Sequence, residues 1–358
     1  MSKGSRLPAL VFIFFLYSVL PLIAQQRYTL TDIGNLGGYY GGYATAINSR
    51  GEVVGLSDVT HDIEEDTDHA FYWSQSTGMI DLGTFYKNSA ASGINRSGTV
   101  VGGTDSDGNP FETLGFQWTK TGGMRSLHGI SVYVDNASDI NDAGQEVGTG
   151  WVVRGEVLHA YHLTGFVLED LGTLGGKNSY AEAINATGQV VGFSNTPTSG
   201  VLDGHAFRWE EGSGMKDLGT LPGDSFSGAN AINKSGVIVG GSYSVWGHYH
   251  GVLWTETGGI RRIATKPDFP ASNTSYNALG VNDIGQVVGY AGPPFGPYHA
   301  MIWTKAAGMH DLNKLIPANT GWVLVDAYDI NNAGQIVGRG HLNDSPDEDR
   351  AFLLTPVK

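Results

Sequence analysis

Short alternations of apolar and polar residues run along the whole chain, and glycine, asparagine or aspartate separates each one from the next. The frame I/V-N-x-x-G-x-x-V-G recurs seven times, at spacings of 44 to 49 residues. Its asparagines are Asn48, Asn95, Asn141, Asn185, Asn233, Asn282 and Asn331, and a glycine follows each of them at the third position. Asparagine favours the first position of a type I turn, and glycine accepts the left-handed backbone that follows it in a bulged hairpin. Each frame therefore predicts a β-hairpin.

A second alternation follows each hairpin. It is clearest in His69-Ala70-Phe71-Tyr72-Trp73 and His205-Ala206-Phe207-Arg208-Trp209, and weaker copies end at Trp118, Leu163, Trp254, Trp303 and Leu354. A short further strand comes next, as in residues 78–82 and 214–218. The seven repeats thus predict an all-β fold, a seven-bladed β-propeller of four-stranded antiparallel blades. A solenoid of stacked repeats is the alternative, but it needs polar capping repeats, and neither end of the chain departs from the pattern.

Residue size and the chain ends predict how the ring is built. Alanine stands four residues before each turn asparagine, and alanine, glycine or aspartate stands two before it. We therefore expect both positions on one face of an innermost strand, the face toward the crowded axis. Residues 28–33 match the fourth-strand pattern before any hairpin has occurred, whereas the last repeat ends on its third strand, residues 351–354. We therefore expect the N-terminal strand to complete the last blade and close the ring.

The composition agrees with this fold and excludes several functions. Glycine reaches 53 of 358 residues and only 16% of residues are charged, which favours short strands and tight turns over helices. The formal net charge of −14 would repel phosphate backbones, so we expect no nucleic-acid partner. The absence of cysteine excludes disulfides, thiolate metal sites and a cysteine nucleophile.

The first 24 residues are typical of a secretory signal peptide. Lys3 and Arg6 precede about 16 apolar residues, and Pro21 and Ala24 come before a polar pair. This run is short for the roughly 20 residues that a membrane span needs, so we expect cleavage after Ala24 and no membrane insertion afterwards. The expected mature protein is one domain, residues 25–358, a monomer in the periplasm or outside the cell.

Two segments carry a resemblance to a known family. Residues 170–194, DLGTLGGKNSYAEAINATGQVVGFS, and residues 205–221, HAFRWEEGSGMKDLGTL, resemble the HAF-type repeats of exported bacterial proteins, named for the triplet His-Ala-Phe. The similarity extends over residues 28–355. It implies export and a repeat-built β fold, but no particular reaction or ligand. The triplet itself is intact only at residues 69–71 and 205–207.

The repeated polar residues have structural interpretations. The histidines that begin third strands are His69, His159, His205, His250 and His299, and equivalent positions on different blades do not converge on one site, so we expect structural hydrogen bonds. The repeated fourth-strand aspartates, which are Asp32, Asp81, Asp170, Asp217 and Asp311, are interpreted as turn caps. No HExxH, P-loop, GxSxG or GxGxxG motif occurs, and the triplet Gly223-Asp224-Ser225 has no evident histidine partner.

Two features suggest calcium. Residues 105–109, Asp-Ser-Asp-Gly-Asn, place possible oxygen ligands at Asp105, Asp107 and Asn109 but lack the rest of an EF-hand loop, so a hydrophilic hairpin loop is the alternative. The loops at residues 56–68 and 339–349 belong to blades that ring closure makes neighbours. They should bring together Asp58, Asp62, Glu64, Glu65, Asp66, Asp68, Asp344, Asp347, Glu348 and Asp349 in one acidic sector. No other cofactor is expected.

Aromatic residues concentrate in the corresponding loops of the fifth and sixth repeats, residues 241–249 and 290–298. They are Tyr243, Trp246, His248, Tyr249, Tyr290, Phe295 and Tyr298. Exposed aromatic rings beside polar groups stack on sugars or bind a partner protein. These residues therefore predict a non-catalytic binding module for a glycan or an extracellular protein. The alternative is that the rings pack over the tops of the blades. A polysaccharide hydrolase or lyase with Asp139 and Asp329 as inward carboxylates, or a pure interaction scaffold, remain the other hypotheses.

Overall fold

The computed structural model describes residues 27–60, 67–106, 109–127, 134–153, 156–198, 204–244, 249–270, 272 and 274–357. The predicted leader, residues 1–24, lies outside these ranges. Within them, no helix is long and apolar enough to cross a membrane.

The described chain forms seven sheets of four antiparallel strands. Blade one consists of β2 (Gly42–Ile47), β3 (Val53–Asp58), β4 (Asp68–Ser74) and β5 (Gly78–Asp81); blade two of β6 (Ser89–Ile94), β7 (Val100–Ser106), β8 (Asn109–Thr119) and β9 (Gly123–Ser126). Blade three consists of β10 (Val134–Ile140), β11 (Gln145–Val153), β12 (Val157–Thr164) and β13 (Val167–Asp170); blade four of β14 (Ser179–Ile184), β15 (Val190–Ser194), β16 (His205–Glu210) and β17 (Gly214–Asp217). Blade five consists of β18 (Phe226–Ile232), β19 (Ile238–Tyr243), β20 (Tyr249–Thr255) and β21 (Gly259–Arg262); blade six of β22 (Ser275–Val281), β23 (Val287–Gly292), β24 (His299–Thr304) and β25 (Gly308–Asp311). Blade seven consists of β26 (Trp322–Ile330), β27 (Ile336–Leu342), β28 (Ser345–Pro356) and β1 (Tyr28–Gly34), and a 3₁₀ turn, Leu312–Lys314, precedes it.

The predicted fold is confirmed: the protein is a seven-bladed β-propeller. The glycine three residues after each turn asparagine has a positive φ, between 76° and 84°, as the hairpin interpretation requires. The crossovers between blades and the loops between second and third strands lie on one face of the ring, which we name the crossover face. The asparagine turns lie on the opposite face, the turn face.

Ring closure by the N-terminal strand is also confirmed. β1 pairs antiparallel with β28, from Tyr28 opposite Pro356 to Gly34 opposite Ala351. The seventh blade therefore contains the strand nearest the N-terminus and the three strands nearest the C-terminus. Strand β28, which contains the fully buried Phe352, is therefore paired on both of its edges.

One expectation about the innermost strands is wrong. The residues at −4 and −2 from each turn asparagine lie on opposite faces of the blade and not on one. In blade one, Ala44 packs against Val337 of blade seven, whereas Ala46 packs against Ala91 of blade two. The cause is a β-bulge at the residue between them, Thr45, which reverses the alternation of the strand. The same register shift occurs in all seven blades.

The bulge also explains the second invariant glycine of the repeat. In blade one, a Cβ on Gly55 would lie 2.1 Å from the carbonyl oxygen of Tyr43 and 2.8 Å from the ring of Phe71. No side chain fits between the bulged strand and the third-strand aromatic residue. Glycine is therefore required where the two strands approach each other.

The turn asparagines link all blades into one circuit, which we name the asparagine ring. Each Oδ1 accepts the backbone N–H four residues later, at 2.9–3.1 Å, and so holds its own turn. Each Nδ2 donates to the backbone carbonyl of the asparagine in the next blade, at 3.0–3.3 Å, and Asn331 donates to Asn48. The seven side chains thus form a continuous cycle of hydrogen bonds around the channel mouth on the turn face.

Candidate functional site

The recurring histidines make structural hydrogen bonds, as predicted. Nδ1 of His69, His159, His205 and His299 lies 2.8–2.9 Å from a carboxylate oxygen of the fourth-strand aspartate of the same blade. The same aspartates cap the crossover that follows: Asp81 Oδ1 accepts the N–H of Gly83, and Asp170 and Asp217 do the same in their blades. In blade six, the hydrogen bond to Asp311 raises the pKa of His299. These pairs lie on separate blades and do not form a shared site.

The expectation that Asp224 has no histidine partner is wrong. His250 Nδ1 lies 3.1 Å from Asp224 Oδ2. The reason is a substitution in blade five: Arg262 stands opposite Val252, where blades one, three, four and six place their fourth-strand aspartate. His250 therefore takes its carboxylate from the preceding crossover, and this contact replaces the histidine–aspartate pair of those four blades.

The two inward carboxylates of the enzyme hypothesis bind backbone. Asp139 accepts the N–H groups of Ile140, at 2.7 Å, and of Ile184 in the next blade, at 2.9 Å. Asp329 makes the equivalent bonds to Ile330 and Ile47. Burial raises the pKa of Asp139 to about 6. Both carboxylates therefore join neighbouring blades, and neither has an oxygen free of backbone contacts to act on a substrate.

The axial channel widens into a cavity of about 620 Å³ on the crossover side. Blades two and three supply most of its wall, and six of the lining residues stand at −5 and −3 from the turn asparagines of blades two, three and four. These are Ala90, Ser92, Asn136, Ser138, Tyr180 and Glu182. Because the bulge lies at −3, it turns these side chains toward the axis. The sequence interpretation missed the cavity because it assigned the positions −4 and −2 to the axis.

Glu182 is the most unusual residue of the cavity. Its side chain keeps water-accessible surface in the channel, but protein surrounds it, and this desolvation raises its pKa to about 7. It has no hydrogen-bond or ion-pair partner among the described residues. Its charge acts on the hydroxyl of Tyr243 in blade five, so the two groups share the channel. A lone glutamate at a position that is neutral in the other six repeats was the available sequence signal.

Four of the predicted aromatic residues lie together, and we name them the tyrosine cluster: Tyr243, Tyr249, Tyr290 and Tyr298. The ring centroids of Tyr243 and Tyr249 are 4.8 Å apart, and those of Tyr290 and Tyr298 are 4.9 Å apart. Asn277 joins the pairs, because its Nδ2 lies 3.4 Å from the Tyr243 hydroxyl and its side chain also bonds Tyr290. Tyr249 remains 41% exposed. The cluster presents aromatic edges and hydroxyls across the boundary of blades five and six.

The other predicted aromatic residues differ in position. Phe295 is 91% exposed and has a φ of 70°, a left-handed backbone that is strained for a bulky residue. Strain at an exposed apolar side chain is found at binding sites more often than in ordinary loops. Trp246 and His248 lie outside the described residues.

Further exposed aromatic residues lie on the crossovers that enter blades one and two. They are Tyr39, Tyr40, Phe85 and Tyr86, and the rings of Tyr39 and Tyr40 meet edge to face at 5.1 Å. The sequence interpretation overlooked them because it compared the loops between second and third strands. The contrast of Phe85-Tyr86 with the Gly175-Gly176 pair of a later crossover was the available signal.

The acidic loops of blades seven and one meet, and three of their described carboxylates have cationic or backbone partners. Asp349 binds Arg339 at 3.2 Å, and Glu348 binds Arg350 at 3.0 Å. Asp58 is buried and accepts the backbone N–H of Tyr40. Asp62, Glu64, Glu65 and Asp66 lie outside the described residues. The described part of the sector is thus partly neutralised by arginine.

The candidate calcium ligands are described only in part. Asp105 accepts the backbone N–H of Lys87 and of Asn88, at 2.9 and 2.8 Å, and so caps the crossover into blade two. Asp107 and the side chain of Asn109 lie outside what the structure describes. Among the described residues, no group of three or more histidine or carboxylate side chains is placed to hold a metal ion.

Fold and geometry together define a class: a seven-bladed propeller whose channel is polar along blades two to four and aromatic at blades five and six. No family model matches the chain, and no curated protein matches it in sequence. Among solved structures, the S511A mutant of puromycin hydrolase complexed with PGG is similar with a TM-score of 0.54 and 12% identity, over 86% of this chain and 53% of that one.

Two TolB structures are also similar. TolB from Acinetobacter baumannii has a TM-score of 0.47 and 12% identity, over 89% of this chain and 64% of that one. The putative TolB from Agrobacterium tumefaciens has a TM-score of 0.48 and 10% identity, over 88% of this chain and 99% of that one. The chain thus spans less than two thirds of the Acinetobacter protein. At these identities the likenesses show the propeller fold alone.

Proposed function

We propose that the protein is an exported, non-catalytic binding propeller that holds a glycan against the tyrosine cluster on its crossover face. The observation that carries this proposal is a pair of tyrosine ring contacts, one in each of two neighbouring blades, which the amide of Asn277 connects. Aromatic faces pack on the apolar faces of sugar rings, and neighbouring polar groups bind their hydroxyls.

Several observations favour binding over catalysis. Asp139 and Asp329, the carboxylates of the hydrolase or lyase hypothesis, each accept two backbone N–H groups. They act as links between blades, and a variant of either is expected to affect stability. The strained, exposed Phe295 extends the aromatic surface toward a ligand or an extracellular protein partner. Export is supported by the leader of residues 1–24.

The test is retention of the purified protein on a glycan array and on insoluble polysaccharides. We expect Tyr249→Ala and Trp246→Ala each to weaken retention on a bound glycan at least about tenfold, because buried aromatic contacts dominate such interfaces. Tyr39→Ala, which removes an exposed tyrosine from blade one, is the matched control and should bind normally. All three variants should melt within a few degrees of the parent protein.

The contrary outcomes are distinct. Retention that survives both variants would place the site elsewhere on the ring. Release of reducing sugar during incubation would favour the enzyme hypothesis. A parent protein that retains no glycan would overturn the proposal.

A further inference from the structure

The cavity of blades two to four is built for a polar ligand, and none of its described lining residues belongs to the tyrosine cluster. Its volume of about 620 Å³ is within the usual range of small-molecule sites. Hydroxyls of Ser92, Ser138 and Thr149 line it, with the amide of Asn136. None of its lining residues in the described chain is lysine, arginine or histidine, so no cation in its wall would attract an anionic ligand.

The acidic groups of the wall differ in what they bind. Asp105 accepts two backbone N–H groups, and Asp135 accepts the hydroxyl of Thr113 at 2.9 Å. Glu182 lines the same cavity and has no hydrogen-bond or ion-pair partner in the described part of the chain. Its oxygens are therefore available as charged acceptors for a ligand. Asp68, the fourth carboxylate of the wall, has a further contact within the protein.

The repeat shows that glutamate is a departure at this position. The equivalent Thr45 donates from its hydroxyl to the carbonyl of Ala91 in the next blade, at 2.7 Å. The equivalent Asn230 donates to the carbonyl of Ala278, at 2.8 Å. An ionised carboxylate has no hydrogen to donate, so an ionised Glu182 does not make the link seen in blades one and five. Blade four instead places a carboxylate in the channel at this position.

We propose that this cavity binds an amino sugar, with the ligand ammonium on the Glu182 carboxylate and the ligand hydroxyls on Ser92, Ser138 and Asn136. An ammonium supplies hydrogen-bond donors and a positive charge opposite the Glu182 carboxylate. A charge-assisted hydrogen bond in the cavity is stronger than one in open water. The carboxylates of Asp105 and Asp135 in the same wall disfavour phosphorylated and uronic acid ligands. The proposal uses different residues from the tyrosine cluster and holds independently of it.

The raised pKa of Glu182 is consistent with such a site. Desolvation by the surrounding protein raises this pKa to about 7, although the side chain keeps water-accessible surface. A ligand cation favours the ionised form and compensates for the desolvation. Pairing with a ligand cation therefore offsets the free energy that desolvation of the Glu182 carboxylate costs.

Isothermal titration of the purified protein at about pH 7 tests the proposal with two probes. They are the β-1,4-linked disaccharide of glucosamine and the same disaccharide with both amines acetylated. We expect the free amine to bind about tenfold more tightly or better, since hydrogen bonds to charged groups are the stronger kind. Glu182→Gln should bind the two disaccharides with similar affinity.

Three controls separate the alternatives. Glu211→Gln removes an exposed glutamate from the same blade and should keep the preference for the free amine. Glu182→Ser introduces the residue that blades two and three carry at this position, and it should lose the preference while folding normally. Tyr249→Ala should keep the preference, which distinguishes this site from the tyrosine cluster. A preference that persists in Glu182→Ser, equal binding of both probes by the parent, or binding of neither would overturn the proposal.

Discussion

The asparagine side chain of each repeat accepts one hydrogen bond and donates another, and only an amide does both in this geometry. Oδ1 of Asn185 accepts the N–H of Gln189 within its own turn, while Nδ2 donates to the carbonyl of Asn233 in the next blade. Aspartate or serine also begins such turns, but an ionised aspartate cannot donate and a serine is shorter. The constancy of this residue thus reflects contact between blades as well as turn geometry.

At the same scale, the turn glycine is expected to resist substitution. Gly188 has a φ of +81°, so Gly188→Val should destabilise the protein by about 1–3 kcal/mol because a β-branched residue is strained there. Gly228→Val is the matched control, since Gly228 has no positive φ and a Cβ would meet no atom within 4 Å. Urea denaturation of both variants measures the difference. Equal stability of the two would contradict the assigned turn.

Glu182 should make stability depend on pH. Its pKa in the fold is raised to about 7 from an ordinary value of 4.5, so the folded state binds the proton more tightly than the unfolded state. This contribution favours folding below about pH 4.5 and is lost as the pH rises through 7. We expect Glu182→Gln to melt close to the parent at about pH 4 and several degrees above it at about pH 8. Parallel melting curves across this range would refute the assigned environment.

At the scale of elements, the sequence pattern predicted the strands but not the direction in which their side chains point. Alternation and turn residues predicted all four strands of each blade, because both depend on local sequence. The bulge at Thr45 and its equivalents was not predicted, because a single inserted residue leaves the apolar pattern of the strand intact. As a result, the axis was assigned to the positions −4 and −2 of each repeat, and the cavity residues at −5 and −3 of blades two to four were missed.

The closing strand β1 is expected to stabilise the whole ring. Its Tyr28 is buried and donates its N–H to the carbonyl of Leu315, and the strand covers Leu354. Deleting residues 25–34 should therefore lower the melting temperature markedly and broaden the transition, relative to a chain that lacks only residues 1–24. Calorimetry makes the comparison. Cooperative melting at the control temperature would contradict a structural role for this strand.

The acidic loops lead to a separate prediction. We expect millimolar calcium to raise the melting temperature through the carboxylates of residues 344–349 or through Asp105 and Asp107, by mass action on the folded state. Sodium chloride at equal ionic strength is the control for screening. An identical response to both salts would identify these loops as solvated surface.

At the scale of the whole molecule, seven similar blades enclose an asymmetric channel. Polar residues face the axis in blades two to four, whereas Tyr43 of blade one and Tyr328 of blade seven pair their rings at 5.6 Å on the other side. The sequence predicted the ring and the closeness of the aromatic loops, since both follow from the order of the blades. It could not predict the cavity, because that site combines residues from separate repeats that only the bulge turns toward one point.

The asparagine ring has a consequence for how the chain is threaded. Its seven links are alike, so no pair of neighbouring blades is joined differently from the others. In blade seven, where the two ends of the described chain meet, Val357 donates its N–H to the carbonyl of Arg27 at 2.8 Å. A circularly permuted gene that joins these two residues and opens the chain before β2 would encode every blade as one uninterrupted stretch. Such a protein should keep the same cycle of hydrogen bonds, because the fold depends on which blades are neighbours and is indifferent to which of them is translated first.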